Sequence, residues 1–159
     1  MPTKTIKTPI LPDKYYHIYN KANNNELIFR KDQDYRFFLN AMNDQLFDTI
    51  EVYSFCLLPN HFHFLIKPKY KEQDNGEKSI TESIRLLFQL YVQYYNKKYG
   101  RRGSLFLKSF RRVEITGDFY LKYLVFYIHF NPQKHNIIED YKNYDFSSYK
   151  FFLSMKETK

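Results

Sequence analysis

A single cysteine, Cys56, occurs in the chain, and this excludes an internal disulfide framework. Long apolar runs are missing as well: none approaches the ~20 apolar residues that a membrane helix needs. The opening stretch MPTKTIKTPILPDK lacks the apolar core of a secretory leader, and no internal repeat is found. These gaps predict a soluble, cytoplasmic protein with no membrane partner. One further gap is local. Between Ser83 and Val113 there is no Asp or Glu, although the stretch holds Arg85, Lys97, Lys98, Arg101, Arg102, Lys108, Arg111 and Arg112. Those eight cations equal the whole net charge of +8. A solvated basic face usually carries compensating acids at helical spacing. Without them the stretch points to a phosphate-bearing partner.

What is present is aromatic. Sixteen Tyr and sixteen Phe in 159 residues, with 43% apolar residues, predict one folded, ring-packed domain. Residues 1–14 hold three prolines without periodicity and read as an N-terminal arm, residues 15–152 as the domain, and residues 153–159 as a tail. KYYHIYNK alternates as a strand does. KDQDYRFFLNAMNDQLF places Phe37, Phe38, Met42 and Leu46 at helical intervals behind Asp32 or Asp34 as N-cap. IEVYSFCLL and HFHFLIK flank the turn dipeptide PN and predict a hairpin, and PKYKEQDNGEK reads as a flexible loop. A second helix is expected from a capping box at Ser79 and Glu82 to a terminator at Gly100. SLFLKSFRRVEI returns to strand character, and GDFYLKYLVFYIHFNP is helical up to Pro132. The order β-α-β-β-α-β-α predicts an α+β protein: a ferredoxin-like βαββαβ antiparallel sheet with helices on one face, plus an additional C-terminal helix.

In LLPNHFHFLIKP, alternation puts His61, His63 and Leu65 on one face of a strand and Phe62, Phe64 and Ile66 on the other. Two imidazoles at that spacing can share an ion. The plainer alternative is a pair of hydrogen-bonded histidines at a sheet surface. Only three other histidines and one cysteine exist, too few for a closed structural zinc site. An open divalent site completed by an oxygen ligand, waters and a substrate phosphate fits better. On the last helix, Tyr120, Tyr123, Tyr127 and Asn131 form one stripe. Any of the three tyrosines is placed to face an ion, and the Asn131 amide one turn beyond Tyr127 favours that one.

FCLLPNHFHFLIKP resembles the HUH segment (His, bulky hydrophobic, His) of the single-tyrosine HUH transposases, above all the REP-associated tyrosine transposases. YHIYNKANNNELIF is similar to that family's first strand and YVQYYNKKYGRRGSLFLKSFRR to its second helix and basic fourth strand. YLVFYIHFNPQKH is similar to its tyrosine helix and YDFSSYKFF to its C-terminal tail. The resemblance spans Tyr15 to Phe152. It implies Tyr127 as nucleophile, standing in YIHFNP, with His61, His63 and Asn131 as ligands of Mg²⁺ or Mn²⁺. Two positions depart from the family pattern: Lys21, where arginine is usual, and Phe146, where tryptophan is common.

The implied activity is metal-dependent cleavage and strand transfer of single-stranded DNA bearing hairpin or palindromic elements. It would run through a 5′-phosphotyrosine, in a monomer or homodimer. A phenol, with a pKa of about 10, needs an electrophilic phosphorus, and a bound divalent ion provides it. Lys21, Lys97, Lys98, Arg101, Arg102, Lys108, Arg111 and Arg112 are the expected DNA contacts; Tyr94, Tyr95, Tyr99, Phe106 and Phe110 are interleaved among the later cations, where exposed rings could stack on unpaired bases, although most of the five are expected in the core of so small a domain. Two alternatives stay open on sequence: a domesticated protein of the same fold that binds DNA without cutting, and a metal-dependent nuclease that uses water.

Overall fold

The computed structural model describes residues 8–70, 76–107 and 109–150. Its elements run β1 (Tyr15–Lys21), α1 (Asp32–Leu46), β2 (Ile50–Leu58), β3 (His61–Pro68), α2 (Gly76–Tyr99), β4 (Arg111–Ile115) and α3 (Asp118–Lys134). The four strands form one sheet in the order β2-β3-β1-β4, every pair antiparallel, which is the expected ferredoxin-like plan.

Alternation along β1 and β3 divides the residues between two cores. Ile18, Phe62, Phe64 and Ile66 point toward α1 and α2 and meet Phe38, Leu87 and Tyr91 in the larger cluster. Each such side chain contributes ~1.5–3 kcal/mol by leaving water. Leu65, Leu58 and Ile115 point the opposite way and meet Leu124 and Ile128 of α3. The additional helix therefore lies on the face that the other two leave open. His61 and His63, in register with Leu65, look toward it.

The C-terminal segment closes the β2 edge. Phe146 O accepts from Leu57 N at 2.8 Å and Ser148 N donates to Phe55 O at 3.0 Å. The Tyr144 hydroxyl reaches Leu57 O at 2.6 Å, and His129 of α3 bonds Ser148 Oγ at 2.6 Å. A paired edge is protected from pairing with another chain.

Several expectations are corrected. The second helix begins at Gly76, so Ser79 is interior rather than a cap, and Glu82 pairs with Arg85 instead. Its end is as expected, with Gly100 at φ +59° just after Tyr99. Of SLFLKSFRRVEI only Arg111–Ile115 joins the sheet, while Phe106 makes a lone bridge to Ala22. The last helix runs through Pro132 to Lys134. Proline there removes one donor near the helix end, and His135 N to Asn131 O at 3.0 Å resumes the bonding. Of the expected arm at residues 1–14, residues 1–7 lie outside the described residues, and Ile10 is fully buried in the larger core. The tail at 153–159 lies outside the described residues.

Asp34 is the third residue of α1 rather than its N-cap, which is Lys31. Its carboxylate is fully buried and receives the N–H groups of Arg30 and Lys31 at 2.9 and 3.0 Å. The hydroxyls of Tyr94 and Tyr99 donate to it at 2.9 and 2.6 Å, and Lys98 Nζ lies 2.8 Å away. Burial alone would raise its pKa. The hydrogen bonds from Lys98, Tyr99, Arg30 and Lys31 outweigh that and hold it at about 2. Removing a buried, fully bonded charge strands its partners. Asp34→Ala is expected to cost about 3–5 kcal/mol, read as a lower midpoint in urea unfolding; a midpoint equal to wild type would remove Asp34 as the tie between α1 and α2.

Candidate active site

Antiparallel pairing of β1 with β3 sets Lys21 opposite His61, Tyr19 opposite His63 and His17 opposite Leu65. All six side chains share the face toward α3. The β2–β3 turn is held by Ala22 N to Asn60 O at 3.0 Å and Ile28 N to Pro59 O at 2.6 Å, which fixes the strand end that carries His61.

Each imidazole of the pair has an orienting partner on one nitrogen. His61 Nδ1 lies 2.7 Å from Asn60 Oδ1, and since that amide oxygen only accepts, Nδ1 carries the proton and Nε2 keeps its lone pair. His63 Nδ1 is 2.9 Å from His17 Nε2, leaving its own Nε2 open. A partner on the second ring nitrogen is what ion-binding histidines need to hold tautomer and direction. Burial first, then the charges of His135, Lys134 and Lys21, lowers the pKa of His61 to about 4. Burial also pushes His63 well below its ordinary value, with His17, His61, His135 and Lys134 adding to the effect. Both rings are therefore neutral at neutral pH, the state in which imidazole binds a metal.

α3 crosses this face with Tyr127 toward His63, ring centroids 6.0 Å apart, and His135 toward His61 at 4.8 Å. Asn131 stands one turn from each and is fully buried. Its Nδ2 donates to Tyr127 O at 2.8 Å. A carbonyl can only accept, so this bond fixes which way the amide points. Its Oδ1 accepts no hydrogen bond from any described residue. The Tyr127 hydroxyl accepts from Lys134 Nζ at 3.3 Å.

No group of three or more His, Cys, Asp or Glu that could hold an ion is present among the described residues. The residues at hand still fit a small divalent ion, because two neutral imidazoles face a helix bearing an amide oxygen that lacks a donor. Two nitrogens and one oxygen leave room for water or phosphate oxygens, as Mg²⁺ and Mn²⁺ prefer.

The expected cationic surface divides in two. Lys97 and Arg102 are exposed, and Lys21 is exposed beside His61. Arg111, opposite Tyr19, shares the α3 face. Lys98 is instead tied to Asp34, and Arg101 makes a two-pronged pair with Glu26 and reaches Ser104 O at 2.8 Å. Arg112 turns to the other face, within 3.3 Å of Thr81 Oγ1. Lys108 lies outside the described residues. The rings interleaved with these cations are mostly inside, as expected: Tyr95 and Phe106 are buried, and Tyr94 and Tyr99 serve Asp34. His17, Lys134 and His135 belong to the site without having been singled out in the sequence. His17 alternates with Tyr15 and Tyr19 in YYHIYNK, and that period places it on the face of His63 once the strands are paired.

No model of a protein family matches the chain, and no curated protein matches it in sequence. Its structure is similar to that of a REP-associated tyrosine transposase bound to a REP hairpin, with a TM-score of 0.67. The likeness covers 93% of this chain and 83% of that one at 16% sequence identity. What the two share is the fold. Among the described residues, no helix is long and apolar enough to cross a membrane.

Proposed function

We propose that the chain cuts and rejoins single-stranded DNA, with Tyr127 as nucleophile and a Mg²⁺ or Mn²⁺ ion held by His61, His63 and Asn131. The observation that carries this reading is the Asn131 side chain. A buried polar atom without a partner costs ~1–3 kcal/mol, and here the orphaned Oδ1 sits one turn from Tyr127, on the helix that covers two neutral imidazoles. A metal ligand explains a lone pair left open at that cost. The hairpin carried by the similar structure supports a strand with a hairpin as the partner.

Tyr127 Oη forms a bond to the phosphorus of the scissile phosphodiester as the bond from phosphorus to the 3′ oxygen breaks. In the net step the phenol proton ends on that 3′ oxygen, giving a 5′-phosphotyrosine and a free 3′-OH. A bound divalent ion supplies charge withdrawal from the phosphate. Lys134, within hydrogen-bond reach of Oη, holds the negative charge that develops there as the proton leaves. The phosphotyrosine keeps the energy of the phosphodiester, so the 3′-OH of another strand can attack it and regenerate Tyr127. Lys21, Lys97, Arg102 and Arg111 are the cations placed to meet the DNA backbone.

Incubation with Mn²⁺ and a single-stranded oligonucleotide bearing a hairpin tests the reading on a denaturing gel. The expected result is a shortened strand ending in 3′-OH together with a protein–DNA band that survives detergent and heat. Cleavage without that band would favour water as nucleophile. Tight binding with no cleavage would favour a DNA-binding protein that does not cut.

A further inference from the structure

We infer that Tyr120 and Tyr123, facing Tyr19 across an open groove, form a stacking subsite for unpaired nucleobases that leads to Tyr127. The inference rests on the proposed reaction and names the part of the strand that reaches this side of the site. The groove has a volume of about 440 Å³; His17, Tyr19 and His63 contribute to its floor, and Tyr120, Tyr123 and Tyr127 to its wall.

Unlike the rings of the larger core, the two wall tyrosines are open, Tyr120 at 47% exposure and Tyr123 at 50%. They continue the nucleophile's own ring as a ladder. Tyr120 to Tyr123 and Tyr123 to Tyr127 are each 6.2 Å between centroids, with planes 31° and 25° apart. Across the groove the Tyr19 ring stacks on His63 at 5.9 Å. Neither the Tyr120 nor the Tyr123 hydroxyl takes part in a hydrogen bond with a described residue, so the rings themselves are what the groove offers. Open aromatic faces in a row suit bases whose own faces are free, as in a single strand; paired bases in a duplex have theirs covered. Charge selects the same occupant over an apolar protein segment: Arg111 adjoins Tyr19 on this face of the sheet, and Lys134 stands over the Tyr127 ring at 4.7 Å.

The test is a fluorescence titration with a hairpin oligonucleotide whose unpaired extension carries 2-aminopurine, a base quenched by stacking. Tyr120→Ala with Tyr123→Ala is expected to weaken binding about 100-fold, roughly tenfold for each ring, and to abolish the quenching. Tyr120→Phe with Tyr123→Phe, which keeps both rings, is expected to restore affinity and quenching together. On an abasic extension of the same length, the alanine pair and the wild type should bind equally. Wild-type affinity and quenching in the alanine pair would overturn the subsite while leaving the proposed reaction standing. An equal loss on the abasic strand would also overturn it, by making the effect one of backbone or folding. So would a concentration-dependent dimer of the wild type that the alanine pair dissolves with no change in DNA affinity, which would assign the rings to a second copy of the chain. Failure of the wild type to bind any DNA would remove the proposed function and the subsite with it.

Discussion

Tyr127→Phe is expected to lose both DNA cleavage and the covalent protein–DNA product, a fall in rate of about 10⁴-fold or more. The substitution removes one oxygen and nothing else. The ring keeps its contacts with His63 and Tyr123, and the hydroxyl's bond in the structure is the one from Lys134. Folding, metal affinity and DNA affinity should therefore stay at wild-type values, so a lost reaction reports the nucleophile itself. Mass spectrometry of a tryptic peptide carrying a nucleotide locates the bond in the wild-type protein. An adduct on Tyr120 or Tyr123 would move the reacting centre up the helix and undo the role given to Asn131. Cleavage by the phenylalanine variant without any adduct would assign the attack to water.

The second large effect concerns the ion. His61→Ala and His63→Ala each delete one of the two imidazoles proposed as ligands, and each should weaken Mn²⁺ binding by at least about 100-fold; cleavage should vanish with it. Isothermal titration with the metal alone reads the first quantity independently of the reaction. DNA affinity, which the proposed function assigns to Lys21, Lys97, Arg102 and Arg111, should change little. Undiminished Mn²⁺ affinity in either alanine variant would disprove the ligand assignment. Asn131→Ala should follow the histidines in metal binding, and an Asn131→Ala protein that bound Mn²⁺ as the wild type does would leave the open Oδ1 without its explanation.

Much of this site could be read from short-range patterns. Ile50–Leu58 and His61–Pro68 follow from β-branched and aromatic runs around Pro59 and Asn60. Strand alternation alone assigned His61 and His63 to the face opposite Phe62 and Phe64, as found. Helical spacing puts Tyr127 and Asn131 on one stripe; the structure brings Tyr127 to within 6.0 Å of His63 and buries Asn131 one turn further along the same helix. What local pattern could not convey is pairing between distant segments. Lys98 and Arg101 lie in a stretch without acids, yet each has a carboxylate: Asp34 and Glu26 arrive from more than sixty residues earlier in the chain. The same limit hid His17, whose partner is 46 positions away. It also hid which face α3 covers, since that depends on the larger core having already occupied the other side. Pro132 misled for a different reason. The residue before a proline disfavours the helical conformation, but so near the helix end the loss is a single hydrogen bond.

The link between β4 and α3 is only Thr116 and Gly117, and Gly117 adopts φ +86°, a backbone geometry that glycine takes without strain. Two residues span about 7 Å when fully extended, which keeps the start of α3 near the end of β4 and sets Tyr127 over the sheet, its ring 6.0 Å from His63. The groove is thus lined by β1, β3, β4 and α3 of a single chain, so its floor and its wall are set by one short turn.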